Sequence, residues 1–316
     1  MAENTTSTEA AAEQDVLPKE NHPKCSFTEN NSHSPKKRAS DSQPNSSPSK
    51  KLRLELPKPV TNGHEKFNGA KNKNKFIYGN YNRYYGYRCE KNVEDVRLNA
   101  LIQYEELFIG KEIVDIGCND GSLTIALAKR LPINFISGID IDANLIGKAR
   151  RSVVHETQAI VNNNDKNVIK QANFPNNIAF KQCNYVLSND SLLELDEPRY
   201  DTILCLSVTK WIHLNFGDDG LKRAFKRMYR QLKENGTLIL EAQDWKSYKR
   251  RKNLTPEINL HYKNIQLVPK QFHDYLMSSE IGFESFYAIK LPQEHSANGF
   301  KRPVIAYKKG KGSTSS

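Results

Sequence analysis

The sequence predicts an α/β fold with a mostly parallel, doubly wound sheet that follows a disordered tail. Three observations support this prediction. After residue 110, seven short apolar runs typical of strands appear, and most of them alternate with helical patterns. The first of these strands runs into a glycine-containing turn that opens a helix. Residues 1–74, in contrast, are rich in Ser, Asn, Pro, Glu and Lys and almost free of aromatic residues.

The tail, residues 1–74, is predicted to be disordered because it cannot bury enough apolar surface to offset its chain entropy. The first 75 residues hold 13 Lys/Arg and 9 Asp/Glu, so the tail is basic. Basic clusters at 36–38 and 50–53 are spaced like a bipartite nuclear-import signal, so a nuclear location is expected, with the cytoplasm also open. The alternative is a solvated tail whose lysines have no specific role.

Residues 75–311 are predicted to form the folded domain. Strands are expected at 111–118, 134–142, 178–185, 200–208, 236–243, 286–292 and 302–309, and helices at 121–131, 143–160, 217–233 and near 269–280. The Asn-rich segment 161–177 is expected to be a flexible insertion. No helix separates the last two strands, so they are expected to pair antiparallel.

Composition narrows the classes of function. No stretch approaches the roughly 20 apolar residues that cross a bilayer, so no membrane association is expected. The five cysteines have neither the spacing of a zinc site nor that of a disulfide framework, so no metal is expected. The formal net charge is +11, and the part after residue 75 contributes to the excess of cations. A basic domain attracts polyanions such as RNA, although excess lysine can also serve solubility alone.

A ligand site is predicted at the turn 115–121, which reads Asp-Ile-Gly-Cys-Asn-Asp-Gly. Glycines at this place let the backbone approach a ligand at a helix N-terminus. The spacing G-x-x-x-G differs from the dinucleotide fingerprint, which argues against NAD. The next strand ends at Asp140, whose carboxylate can accept both hydroxyls of a ribose. Asp142 is expected to be the N-cap of the following helix.

A second site is predicted just before the domain. Residues 76–88 hold five tyrosines and two arginines, which together can bind phosphates and stack on bases. The alternative is an aromatic strap that packs on the fold. Arg250, Arg251 and Lys252 follow Trp245 in a loop and are expected to track RNA, although a solvated basic face is also consistent with them.

The glycine turn, the strand that ends in Gly-x-Asp and the final antiparallel pair together resemble the class I, Rossmann-like methyltransferases. The motif Tyr-Gly-Asn-Tyr-x-x-Tyr-Tyr-Gly-Tyr-Arg at 78–88 resembles the signature of the methylphosphate capping enzymes, the Bicoid-interacting protein family. The resemblance continues through 115–119, 138–142, 206–215 and 299–304. It implies methyl transfer from S-adenosyl-L-methionine to the γ-phosphate at the 5′ end of a small non-coding RNA such as 7SK, with ribonucleoprotein partners conceivable.

The resemblance also implies roles for individual residues. Catalytic or phosphate-binding roles fall to Tyr81, Arg83 and Lys210, and His213 either holds a further phosphate oxygen or packs on the sheet edge. Trp245 either stacks on the first base or belongs to the core. The implied cofactor residues are Tyr78, Arg88, Gly117, Cys118, Asn119, Asp140, Ile141, Cys183, Asn184 and Leu206.

Three alternatives stay open. A related branch of the family methylates 5′-monophosphate ends instead. Ala242 stands where the family has proline, and Asp244 adds a negative charge nearby, so an RNA-binding scaffold with weak or no catalysis is a second alternative. The third, a methyltransferase for protein Arg or Lys, would need acidic residues at a mouth that is instead rich in Lys, Arg and Tyr.

Overall fold

Strands and helices alternate along the chain in the order that the sequence predicts. The computed structural model describes residues 76–81, 95–163, 172–291 and 302–311. The described strands are β1 (Glu112–Ile116), β2 (Phe135–Asp140), β3 (Ile178–Gln182), β4 (Tyr200–Leu206), β5 (Leu232–Glu241), β6 (Phe283–Ile289) and β7 (Val304–Lys309). The α-helices are α1 (Val96–Ile102), α2 (Ser122–Arg130), α3 (Ala143–Asn162), α4 (Thr209–Gln231), α5 (Trp245–Lys249), α6 (Pro256–Asn264) and α7 (Phe272–Met277).

The seven strands form one sheet in the order β3-β2-β1-β4-β5-β7-β6. The first five are parallel, whereas β7 is antiparallel to both β5 and β6, which confirms the prediction for the last pair. The strand order reverses between β1 and β4. Ligands of open parallel sheets bind at such a switch point, outside the carboxyl ends of the strands.

Both faces of the sheet are covered, as in a doubly wound fold. Leu98 of α1, Leu127 of α2 and Ala149 of α3 are fully or almost fully buried on one face. On the other face, Leu221 of α4 and Phe272 of α7 pack against the sheet. Successive strand residues serve opposite faces, so Ile113 belongs to the first cluster and Val114 to the second. This explains why the central strands read as continuous apolar runs.

Helix α4 differs from its prediction. The sequence suggested a helix at 217–233 after a loop, whereas the helix begins at Thr209 and is kinked at Gly217, whose φ is 66°. Its first half carries Trp211, Ile212 and Leu214, all buried, so this turn gains its stability from tertiary packing. The sequence did not predict that the helix extends back to Thr209, because a glycine within a helical pattern, here Gly217, suggests a helix boundary.

Other predictions fall outside the described residues or were incomplete. The tail 1–74, Arg83, Arg88 and residues 164–171 of the expected insertion lie outside the described ranges. Three short helices, α1, α5 and α6, were not predicted. The helix expected near 269–280 is shorter, a 3-10 turn at Pro269–Gln271 followed by α7. None of the helices in the described ranges is both long and apolar enough to cross a membrane.

Candidate active site

Two adjoining open cavities lie at the carboxyl ends of β1, β2 and β4, where the strand order reverses. Their volumes are about 470 and 410 Å³. Both are lined by Tyr78, Gly117, Asp140, Val208 and Trp211. The predicted cofactor residues that line at least one of them are Tyr78, Gly117, Asn119, Asp140, Ile141, Cys183, Asn184 and Leu206. The structure therefore brings together residues from five separate stretches of the sequence.

The turn after β1 is shaped by Gly117. Its φ is 72°, a left-handed conformation that favours glycine. The backbone N–H groups of Gly117 and Cys118 both donate to the carbonyl of Ile139, at 2.8 and 3.0 Å, which ties the turn to the end of β2. A Cβ at position 117 would come within 2.6 Å of Val208 Cγ2. Gly117 thus keeps open the space between the turn and the loop after β4.

Asp140 lies at the end of β2 and borders both cavities. Its carboxylate accepts hydrogen bonds from the backbone N–H of Asn119 at 3.0 Å and of Asp142 at 2.9 Å. Burial raises the pKa of Asp140 to about 6, although these two amides oppose the shift. At neutral pH the carboxylate is therefore mostly ionised and able to accept further hydrogen bonds.

Asp142 caps helix α3, as the sequence predicts. Its Oδ1 accepts from the backbone N–H groups of Asn144 and Leu145. Its other oxygen accepts from the side-chain amide of Asn80, which holds the 76–81 segment against the start of α3. Asn80 borders the smaller cavity, and its buried Oδ1 accepts no hydrogen bond from any residue in the described ranges. This acceptor could bind a donor group of a ligand.

Cys118 does not contribute its side chain to the cavities. The thiol is 2% exposed and packs in the core on one face of the sheet. Burial raises the pKa of Cys118 well above its usual value, so the group stays a neutral thiol. The expectation that Cys118 contacts a cofactor is therefore limited to its backbone. Across the described ranges, no group of three or more His, Cys, Asp or Glu side chains is arranged to hold a metal ion.

The loop after β4 is fixed by Gln243. The side-chain oxygen of Gln243 accepts from Thr209 Oγ1 and from the backbone N–H of Lys210, both at 3.0 Å. Its amide nitrogen donates to the carbonyl of Ser207, a residue with a φ of 62°. Gln243 thus fixes the first turn of α4 and the backbone of Lys210. The Nζ of Lys210 lies 4.4 Å from the centre of the Trp211 ring, beside the cavities.

Beneath this loop lies a buried network of charges around Glu241, at the end of β5. The carboxylate of Glu241 is 1% exposed and pairs with Arg97 at 2.7 Å and with Arg302 at 2.9 Å. It also accepts from Ser207 Oγ at 2.9 Å. Arg97 in turn pairs with Asp95 at 2.7 Å. Each buried charge has an opposite partner, which is what makes its burial tolerable.

His213 lies in the core and not at the cavities. Its side chain is fully buried, with Nε2 2.6 Å from Asp218 Oδ1 and Nδ1 3.3 Å from the Tyr248 hydroxyl. Burial lowers the pKa of His213, although Asp218 opposes the shift. This placement does not support direct contact with a phosphate and agrees with the packing alternative. Asp218 also accepts from the backbone N–H groups of Gln266 and Leu267, so the pair fixes α4 to a neighbouring loop.

The segment 76–81 packs directly on helix α4. Gly79 has a φ of 72°, and a Cβ there would overlap the indole of Trp211. The side-chain amide of Asn215 donates to the carbonyl of Ile77 at 2.9 Å. The ring of Tyr81 lies 5.9 Å from that of Trp211, edge to face. Tyr81 and Lys210 thus both contact the same indole.

The sequence reasoning missed several residues that border the cavities, among them Gly79, Asn80, Ser207, Val208 and Trp211. All five belong to motifs that the sequence analysis singled out, but none was assigned a role. Residues that line a cavity with backbone atoms or apolar side chains can be of many types, so such positions are difficult to identify from the sequence. Asp244, in contrast, is explained: it caps α5 by accepting from the backbone N–H of Ser247 at 2.9 Å.

Comparisons with known families identify two matching regions. The profile of the family described as Bicoid-interacting protein 3 matches residues 200–309. A profile described as a methyltransferase domain matches residues 114–238. The two overlap from β4 to β5, and together they span the described domain from β1 to β7.

Curated relatives cover more of the chain. It is 42% identical over 275 residues to the U6 snRNA methylphosphate capping enzyme Amus of Drosophila melanogaster, covering 86% of this chain and 84% of the relative. It is 39% identical to the 7SK snRNA methylphosphate capping enzyme of Homo sapiens, covering 76% of this chain and 40% of that protein. Similarity to the RNA 5′-monophosphate methyltransferase of Pongo abelii is lower, at 29% identity over 47% of this chain.

Proposed function

Because the chain belongs to the Bicoid-interacting protein 3 family of methylphosphate capping methyltransferases, we propose that it methylates the 5′-terminal phosphate of a small non-coding RNA. The observation that carries this proposal is the position of Lys210 and Trp211. They lie at the start of α4, beside cavities that Asp140 and Gly117 border. The ammonium group of Lys210 therefore lies beside the proposed cofactor cleft, at the carboxyl ends of the parallel strands.

The residues at the cavities fit S-adenosylmethionine. The ionised Asp140 can accept the two ribose hydroxyls, and Gly117 leaves the backbone free to approach the ligand. Cys183 and Asn184 line the larger cavity and would face the adenine, whereas Leu206 lines the smaller one. The free acceptor of Asn80 suits the ammonium group of the methionine part. Tyr78 and Arg88 are assigned to the same pocket by the family resemblance.

The phosphate side is assigned to Lys210, Tyr81 and Arg83. When bound, S-adenosylmethionine supplies an electrophilic methyl group. The accepting phosphate oxygen is already anionic near neutral pH, so no strong general base is needed. The residues instead have to align the oxygen and offset its charge, and alignment alone can contribute about 7–11 kcal/mol. The helix dipole at the start of α4 adds a favourable field for an anion.

We assign the γ-phosphate of a triphosphate end as the acceptor, with the monophosphate end as the alternative. The triphosphate assignment rests on the full tyrosine signature at 78–88 and on the higher identity to the two capping enzymes of snRNA. The basic clusters at 36–38 and 50–53 support nuclear action on such an RNA. Proteins of a ribonucleoprotein particle would be its partners.

The test is methyl transfer from labelled S-adenosylmethionine to one RNA hairpin prepared with a 5′-triphosphate, a 5′-monophosphate or a 5′-hydroxyl. We expect label on the triphosphate form and a loss of more than a hundredfold in the Lys210→Ala variant. Lys222→Ala is the matched control, because Lys222 lies in the second half of the same helix and is also placed over an aromatic ring, 5.8 Å from the centre of Tyr275 in α7.

Each other outcome has a distinct meaning. Label mainly on the monophosphate form would assign the enzyme to the branch of the family that methylates 5′-monophosphate ends. Equal losses in the two lysine variants would contradict the assignment of Lys210. No label on any end, with cofactor and RNA both bound, would favour the scaffold, which the intact Gly117 and Asp140 now argue against.

A further inference from the structure

A strongly basic surface lies beside the candidate active site, at residues 246–252, which we name the basic turn. It comprises most of α5 and the turn that follows. Five of its seven residues are Lys or Arg, and no acidic residue occurs from Trp245 to Pro256. The side chains of Lys246, Lys249, Arg250 and Arg251 are exposed. Such a concentration of like charge is unfavourable by itself and is relieved by a polyanion.

The basic turn has a fixed position. Tyr248, in its middle, is fully buried and packs with Leu214 of α4 and Ile258 of α6. The backbone N–H of Arg251 donates to the carbonyl of Tyr248 at 2.8 Å, and the side-chain amide of Asn259 donates to the carbonyl of Lys252 at 3.2 Å. The cations are therefore displayed from a rigid support, and less entropy is lost when they bind a ligand.

Two of the cations lie over aromatic rings. The guanidinium of Arg251 is 5.5 Å from the centre of the Tyr81 ring. The ammonium of Lys252 is 5.3 Å from the centre of the Tyr262 ring, which itself stacks on Trp245 at 5.0 Å. Exposed cation–π contacts contribute about 0.5–1 kcal/mol each, enough to orient these side chains.

The aromatic contacts connect the basic turn to the site of transfer. Arg251 lies on Tyr81, Tyr81 meets Trp211 edge to face at 5.9 Å, and Lys210 lies over Trp211 at 4.4 Å. The rings of Tyr81 and Trp211 thus connect two cations, Arg251 at one end and Lys210 at the other. Surfaces that follow a nucleic-acid strand combine the same two elements, cations for the backbone and rings for the bases.

We infer that the basic turn binds the RNA chain beyond its 5′-terminal nucleotide, so that the substrate is a polynucleotide that leaves the site across α5. This inference rests on the proposed function. RNA fits this surface better than an anionic membrane, because the two aromatic side chains of α5 are used within the protein: Tyr248 is fully buried, and the partly buried Trp245 stacks on Tyr262. A membrane-binding helix would present such side chains outward.

The experiment compares two substrates with a 5′-triphosphate in methyl transfer and in equilibrium binding by fluorescence anisotropy. One is a mononucleotide, which has no chain beyond its first nucleotide, and the other is an RNA hairpin. The full chain is used throughout, so the basic tail is the same in every protein. The test variant is Lys249→Gln with Arg250→Gln. The matched control is Arg199→Gln with Lys311→Gln, two exposed cations at the opposite edge of the sheet.

We expect the test variant to raise the KM and Kd for the hairpin about tenfold and to flatten the dependence of log Kd on log salt. The kcat for the hairpin and the KM and Kd for the mononucleotide should be unchanged. Removal of two phosphate contacts should reduce that slope by about 1.4–1.8. The control variant should behave as the wild type. Unchanged hairpin binding, or an equal effect on the mononucleotide and the hairpin, would overturn the inference, and so would binding to phosphatidylserine vesicles in place of the hairpin.

The binding measurement separates this inference from the proposed function. If the wild type binds the hairpin through the basic turn but methylates neither the hairpin nor the mononucleotide, the proposed function fails and the surface assignment stands. If the test variant methylates the hairpin and the mononucleotide as well as the wild type does, the proposed function stands and the assignment of the basic turn fails.

Discussion

Among single residues, Asp140 sets the conditions under which the proposed cofactor can bind. The carboxylate borders both cavities and is buried enough to raise its pKa to about 6, above the usual value of 3.8. Hydroxyl donors of a ribose bind only the ionised form well. Affinity should therefore be complete above about pH 7 and decline as the pH falls through 6.

We predict that the Kd for S-adenosylhomocysteine rises about tenfold from pH 7 to pH 5, since one pH unit below its pKa about nine tenths of Asp140 is protonated. Asp140→Asn should bind weakly at every pH and lose this dependence. Asp142→Asn should keep it, because hydrogen bonds hold the pKa of Asp142 below its usual value. Titration calorimetry from pH 5 to pH 8 is the measurement, and a flat profile in the wild type would refute the role of Asp140.

At the scale of the element, the turn between β1 and α2 requires a glycine at position 117 for two separate reasons. Gly117 has a positive φ, and a side chain there would collide with Val208. Gly110 has a similar φ of 66°, but a Cβ there would meet nothing within 4 Å. A comparison of substitutions at Gly110 and Gly117 therefore separates the cost of backbone strain from the cost of a steric clash with Val208.

We predict that Gly110→Ala and Gly117→Ala both lower the free energy of unfolding, by about 1–2 kcal/mol for the left-handed conformation alone. Gly117→Ala should lose more, and only Gly117→Ala should lose affinity for S-adenosylhomocysteine. Urea denaturation and calorimetry provide the two measurements. Equal loss of affinity in both variants would mean that global destabilisation, and not the shape of this turn, is responsible.

The same scale shows how far the sequence alone leads. The seven strands and Asp140 could be predicted, because buried parallel strands are apolar runs and a carboxylate at a strand end is distinctive. The start of α4 at Thr209 could not, since Gln243, more than 30 residues later, fixes it. The burial of His213 beside Asp218 and Tyr248 depends equally on contacts between distant residues. No local pattern contains such information.

On the scale of the whole molecule, the Glu241 network joins three parts of the chain that are far apart in sequence. Arg97 comes from the start of the domain, Ser207 from the loop after β4, and Arg302 from the residue pair before β7. All converge on one carboxylate at the end of β5. The loop that positions Lys210 therefore depends on both ends of the domain.

We predict that Glu241→Ala lowers the free energy of unfolding by about 3–5 kcal/mol, because it removes one of the two carboxylates that neutralise the buried Arg97 and the carboxylate that pairs with Arg302. Glu156→Ala is the control: Glu156 pairs with Lys129 at a similar distance, 2.6 Å, but both side chains are partly exposed. That loss should stay below about 1 kcal/mol. Urea denaturation of the two variants measures the difference, and equal losses would show that the network contributes no more than a surface pair.

The Glu241 network also has an evolutionary consequence. Asp95, Arg97, Glu241 and Arg302 form two acid–base pairs with no net charge, and a change at any one of them leaves a neighbour uncompensated. Single substitutions at these four positions are therefore expected to be disfavoured. In descendants of this sequence we expect the quartet to be inherited intact, or to be exchanged together for apolar residues, as one heritable unit.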